Sequence, residues 1–138
     1  MKWIHTADWH LGKIVHGESM LDNQRAVLQE FLQLLDREQP DAVIIAGDLY
    51  DRAVPPTEAV ELLDTVLAEI VLERKIPVVA ISGNHDSAER LSFGTTLLQR
   101  AGLHLAGKLT STIEPVEIQG VRFYPVPFAD PATVRYVY

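Results

Sequence analysis

Apolar positions along this chain fall into two alternating kinds of block. Between residues 22 and 38, Val27, Leu28, Phe31, Leu34 and Leu35 recur at the three-and-four spacing of one helical face. Asp22 is placed to cap that helix, and Pro40, which lacks an amide hydrogen, closes it. A continuous run then follows at Ala42-Val43-Ile44-Ile45-Ala46, the pattern of a strand buried on both faces. The alternation repeats. Pro55-Pro56-Thr57-Glu58 opens a second helix, predicted to run to about Arg74 with Val60, Leu63, Val66, Leu67 and Ile70 inward. Pro77 to Ile81 is the next buried strand, and Lys2 to His5 is a shorter apolar start. A third helix is expected over Thr95 to Arg100. Beyond Gly102 the blocks shorten, and Leu103–Ala106, Thr112–Ile118 and Val121–Val126 read as strands, the last two joined at Gln119-Gly120.

Strands separated by helices imply right-handed crossovers onto a parallel sheet, so the chain is predicted to be α/β. Ligands of such sheets gather at the carboxyl ends of the strands. Three polar clusters fall at those ends: residues 8–10, 47–51 and 83–86. No internal repeat or low-complexity linker interrupts the pattern.

Composition narrows the chemistry these clusters can hold. The chain has no cysteine, which removes disulfides and thiolate metal sites and leaves Asp, Glu, His, Asn and main-chain oxygen as ligands. No apolar run approaches the ~20 residues of a membrane span, and the first ten residues contain no signal core. The expectation is one domain over residues 1–138, cytoplasmic and with no membrane partner. A net charge of −7 argues against a basic nucleic-acid surface. Two divalent cations would offset four of those charges, concentrated where the carboxylates Asp8, Asp48, Asp51 and Asp86 stand. DNA affinity would then come from metals, a dimer or a partner subunit.

Asp8 and His10 lie two apart in a stretch expected to be extended, so their side chains would point the same way and offer a carboxylate and an imidazole to one cation. Taken alone, the pair reads equally as a capping carboxylate and a surface histidine. Asp48 ends an apolar strand, where a charge is costly unless paired, metal-bound or solvated. Gly47 gives the turn freedom to aim that carboxylate into a crevice, and one carboxylate can bridge two cations. In Gly83-Asn84-His85-Asp86 the side chains of a turn diverge. Asn84 offers an amide oxygen to a metal, while His85 is free to act as an acid or to meet phosphate charge, with Asp86 available to orient it.

Asp-x-His, Gly-Asp-x-x-Asp and Gly-Asn-His-Asp, in this order and at strand ends, resemble the calcineurin-like metallophosphoesterase superfamily. HTADWHLGK, AGDLYDRAVPP, SGNHDSAERL and the late Pro-Val-Pro-Phe resemble its SbcD-type DNA repair nucleases over nearly the whole chain. The resemblance implies a β-sandwich flanked by helices and two Mn²⁺ ions, or Mg²⁺ or another divalent ion. By that pattern Asp8 and His10 hold the first metal, Asp48 bridges both, Asn84 holds the second, and His85 is the catalytic histidine at the phosphate. It further implies a DNA exonuclease/endonuclease working with an SbcC-type ATPase subunit at double-strand ends, and a homodimer formed through helices near residues 56–101.

Asp51 stands where archaeal and eukaryotic relatives carry a second histidine, and it is expected to orient a neighbour. Arg90 reads as a helix-start salt bridge before a phosphate contact, and His5, His16 and His104 as packing or surface residues. The superfamily completes its site with further histidines downstream, absent here after His85 except for His104. The expectation is therefore the N-terminal portion of a metallophosphoesterase domain, with an incomplete sandwich, an apolar edge or face left open, weak metal binding and little activity on its own. Two other readings fit the same residues: a phosphoesterase acting on small phosphoesters, and a catalytically incomplete scaffold or dimerisation piece.

Overall fold

The computed structural model describes residues 1–138. In chain order the strands are β1 (Trp3–Thr6), β2 (Ile14–Val15), β3 (Glu18–Ser19), β4 (Ala42–Ala46), β5 (Val78–Ile81), β6 (Leu103–Ala106), β7 (Val116–Ile118) and β8 (Val121–Phe123). The helices are α1 (Leu21–Glu38), α2 (Thr57–Ala68), α3 (Ala88–Leu91), α4 (Thr95–Ala101) and α5 (Pro131–Val137). The central sheet runs β1-β4-β5-β6, every pair parallel, with β2–β3 and β7–β8 as separate antiparallel hairpins.

Alternation along the strands sends Val43, Ile45, Val78, Ala80 and Leu103 to one face, where they join Leu28, Leu32 and Leu35 of α1 and Leu62, Val66 and Ile70 beyond. Nineteen buried residues form this core. The opposite face is covered only by the β7–β8 hairpin, whose Ile118 closes a core of three with Ala42 and Val79. Phe123 meets Trp3 edge-to-face with ring centres 5.6 Å apart. The expected sandwich is thus one four-stranded layer with a two-stranded second layer over part of it. Trp3, half exposed at 48%, marks where that cover runs out.

Several expectations about the elements change. Helix α1 starts at Leu21 behind Met20, so Asp22 lies in the first turn, where its charge suits the helix dipole, and does not cap. The buried stripe is Leu28, Leu32 and Leu35, while Val27 is exposed and Phe31 and Leu34 are half-buried. The helix ends before Pro40, with Gln39 in the left-handed region and its N–H on the Leu35 carbonyl. In α2 the inward residues are Ala59, Leu62, Leu63, Val66 and Leu67, and Val60 faces out. The α-helix stops at Ala68 and widens into a π-helical turn, Glu69–Glu73. Arg74 holds that turn, its main-chain N–H on the Glu69 carbonyl and its guanidinium paired with Glu69 (2.8 Å) and Asp36 of α1 (2.8 Å).

The third helix spans Thr95–Ala101 and is preceded by the single turn α3. The late strands are shorter than their apolar runs, Val116–Ile118 and Val121–Phe123. Their two-residue turn, Gln119-Gly120, has both φ angles positive (50° and 80°), which matches the twist of a tight hairpin.

Candidate metal centre

β4 and β5 lie side by side in the sheet and end in turns that touch backbone to backbone. A Cβ on Gly47 would come within 3.0 Å of the Gly83 Cα. A Cβ on Gly83 would collide with the carboxylate and main-chain N of Asp48. Only glycine permits this approach at either position, and Gly47 also takes φ +88°. The result is a strand-end crevice in which Asp48 is 6% exposed.

The loop after β1 is drawn onto the same place. Main-chain bonds run from Asp8 N–H to the Gly47 carbonyl (3.0 Å) and from His10 N–H to the Asp48 carbonyl (2.9 Å). Leu11 and Asp51 continue the contact, Leu11 N–H to Leu49 and Asp51 N–H to Leu11. These bonds overturn the extended backbone expected here: Asp8 and His10 have φ of 57° and 47°, in the left-handed region. Gln24 of α1 fastens the loop from the other side. Its amide donates to the Trp9 (3.2 Å) and His10 (2.8 Å) carbonyls, and its oxygen accepts from Gly12 N–H (3.1 Å). A helical glutamine gives no sign of that role in sequence, and it was not anticipated.

His10 is the hub. Its Nε2 lies 3.5 Å from Asp48 Oδ2 and 3.7 Å from Asp8 Oδ1. Its Nδ1 lies 3.1 Å from Asp51 Oδ1, an acceptor that fixes the proton on Nδ1 and leaves the Nε2 lone pair toward the two carboxylates. Asp48 Oδ1 accepts the His85 main-chain N–H at 2.9 Å. The His85 ring stacks edge-to-face on His10, with centres 4.8 Å apart. Its Nδ1 donates to the Asp51 carbonyl at 2.7 Å, so its Nε2 is free.

Asp51 therefore touches both histidines, by side chain and by main chain. Asp86, anticipated as the orienting partner of His85, instead accepts main-chain N–H groups from Leu49, Tyr50 and Gly83. Asn84 stands exposed on the turn between Gly83 and His85. His5 and His104 lie on strands β1 and β6 and His16 in the β2–β3 turn, outside both donor groups.

Two overlapping donor groups result, Asp8–His10–Asp48 and His10–Asp51–His85, each with its atoms within 4.8 Å of one another. The three carboxylates have histidine as their ion-pair partner, and no lysine or arginine pairs with any of them. A buried carboxylate without a cationic side chain, set among imidazole nitrogens, is a donor set that fits a divalent cation. Tyr50, in the same turn, is not a candidate base: burial, then Asp86 and Asp64, push its phenol up to about 12.

The family model for calcineurin-like phosphoesterases matches residues 1–135. The chain belongs to that family. This phosphoesterase is also 44% identical over 135 residues to the SbcD component of the nuclease SbcCD of Staphylococcus epidermidis. The match covers 98% of the chain but 36% of that protein, so the chain spans about a third of the length of this curated relative.

Proposed function

We propose that this phosphoesterase chain is the N-terminal portion of a metal-dependent nuclease domain that hydrolyses phosphodiester bonds in DNA. The observation that carries the reading is the convergence of three strand-end clusters on one imidazole, His10 Nε2 between Asp8 and Asp48. In this reading Asp8 and His10 hold one cation, Asp48 bridges two, and Asn84 serves the second. Divalent ions, when bound, neutralise phosphate charge and make water a better nucleophile at neutral pH. Mn²⁺ is the proposed ion, with Mg²⁺ as its competitor.

His85 supplies the proton chemistry. With Nδ1–H committed to the Asp51 carbonyl, Nε2 is the atom that meets the phosphate. In the imidazolium form its Nε2–H donates to the leaving oxygen as that P–O bond breaks and the P–O bond to water forms. Asp51 keeps both imidazoles in register, one through its carboxylate and one through its carbonyl.

The relative's name places it in a two-component assembly, SbcCD. By extension the complete protein works in the cytoplasm with an SbcC-type ATPase on DNA ends, and pairs with a second copy of itself. The surface proposed for that pairing is the apolar groove of about 370 Å³ lined by Val60, Leu63, Leu67, Leu72, Phe93 and Leu98. The net charge of −7 favours a rival reading, a phosphoesterase for small substrates. Hydrolysis of chromogenic phosphodiesters without any cleavage of linear duplex DNA would favour the rival.

The first test is a calorimetric titration of Mn²⁺ into the chain beside Asp48→Asn. Weak binding that disappears in the variant is the expected result. Equal heats in both would remove Asp48 from the centre and leave the family fold without this chemistry.

A further inference from the structure

The geometry points to Asp86 as a positioning residue of the centre, one that sets the spacing between the Asp48 turn and the Asn84-His85 turn. The inference rests on the metal-centre reading above. Asp86 Oδ1 accepts from Tyr50 N–H at 2.9 Å, and Oδ2 accepts from both Leu49 N–H (3.1 Å) and Gly83 N–H (2.9 Å). None of these three amides donates to a main-chain carbonyl. Without the carboxylate, three donors at two abutting strand ends would lose their partner.

The amides belong to the right places. Leu49 and Tyr50 directly follow Asp48, and Gly83 directly precedes Asn84. The two turns share two other links, His85 N–H to Asp48 and His85 Nδ1 to the Asp51 carbonyl, and both run through His85. A group that meets substrate and a carboxylate that meets metal are poor anchors for their own spacing. Asp86 joins the turns through atoms that take no part in the reaction. Because Gly47 and Gly83 bring no side chain between the turns, no spacer competes with it.

A carboxylate has two acceptor oxygens and can serve both turns at once, whereas an amide of the same shape has one. Asp86→Asn therefore separates charge and acceptor count from bulk. The test uses the complete protein and compares wild type, Asp86→Asn and Asp48→Asn. The readouts are residue-resolved amide hydrogen exchange without added metal, Mn²⁺ affinity by calorimetry, and the melting temperature.

In Asp86→Asn, Leu49, Tyr50 and Gly83 should lose protection while core amides such as Val66 and Val78 keep theirs. Mn²⁺ affinity should fall by about tenfold or more, as when a ligand's supporting partner is removed. Asp48→Asn should lose Mn²⁺ binding while the three amides stay protected, so a failure of the metal reading shows in that arm alone. Loss of protection with unchanged affinity would make Asp86 a structural clamp only and overturn the proposal. Unchanged protection, or a uniform loss across the core, would overturn it as well. If Asp86→Asn does not fold, the wild type decides. The three amides must exchange slowly there, and rapid exchange would sink the idea.

Discussion

One face of the central sheet meets two long helices and nineteen buried side chains, and the other meets a short hairpin and three. The well-covered face is built from elements that follow one another in sequence, each helix folding back on the strand beside it. The thin face draws on β7 and β8, which lie far along the chain from β1 and β4. The metal centre sits at the carboxyl edge between the two. Its rigidity comes from the thick side, through Gln24 on α1 and the strand ends.

That contrast makes measurable claims. Ile45, fully buried between the sheet and helices, is expected to cost about 2–5 kcal/mol on truncation to alanine, read from denaturant melts. Ile118, 9% exposed in a core of three, should stay near or below the bottom of that range, about 2 kcal/mol. Equal losses at the two positions would mean the faces are not as different as their cores. Phe123→Leu removes the edge-to-face pair with Trp3 and should cost about 0.5–1.5 kcal/mol beyond the area lost.

The smallest effect is a pH dependence on the thin face. His104 shares its side of the sheet with Val79, its register neighbour on β5, and burial lowers its pKa below the usual 6.5. The folded chain then binds fewer protons than the unfolded chain just below that value. Its stability contribution is present above about pH 6.5 and is lost as pH falls toward the lowered native value. Melting temperatures from pH 7.5 to 5 should show this slope, and His104→Gln should flatten it.

The parallel sheet was legible because buried strands spell continuous apolar runs, and Ala42–Ala46 and Val78–Ile81 do so with polar turns directly after them. The grouping of Asp8, His10, Asp48 and His85 followed from those strand ends. The rotation of α1 was not legible. Its apolar positions Val27, Leu28, Phe31, Leu32, Leu34 and Leu35 cover more than one face, and packing against the sheet selects Leu32 over Val27. The π-helical turn depends on Arg74 reaching Asp36, thirty-eight positions away. The bends at Asp8 and His10 depend on carbonyls of the β4 turn, and the double role of Asp51 on a main-chain oxygen that no residue code announces.

The left-handed backbone at Asp8, His10 and Asp48 governs how the centre can be dissected by mutagenesis. Most residue types pay roughly 1–2 kcal/mol to sit there, and asparagine and aspartate visit that region most readily apart from glycine. An alanine scan of these positions would mix lost ligands with altered chain conformation. An asparagine scan changes the charge and donor pattern while leaving the conformational preference nearly intact. Natural variants that drift at these positions should accordingly be enriched in Asn and Gly, and a Val or Ile there would report a refolded loop before it reported a lost metal.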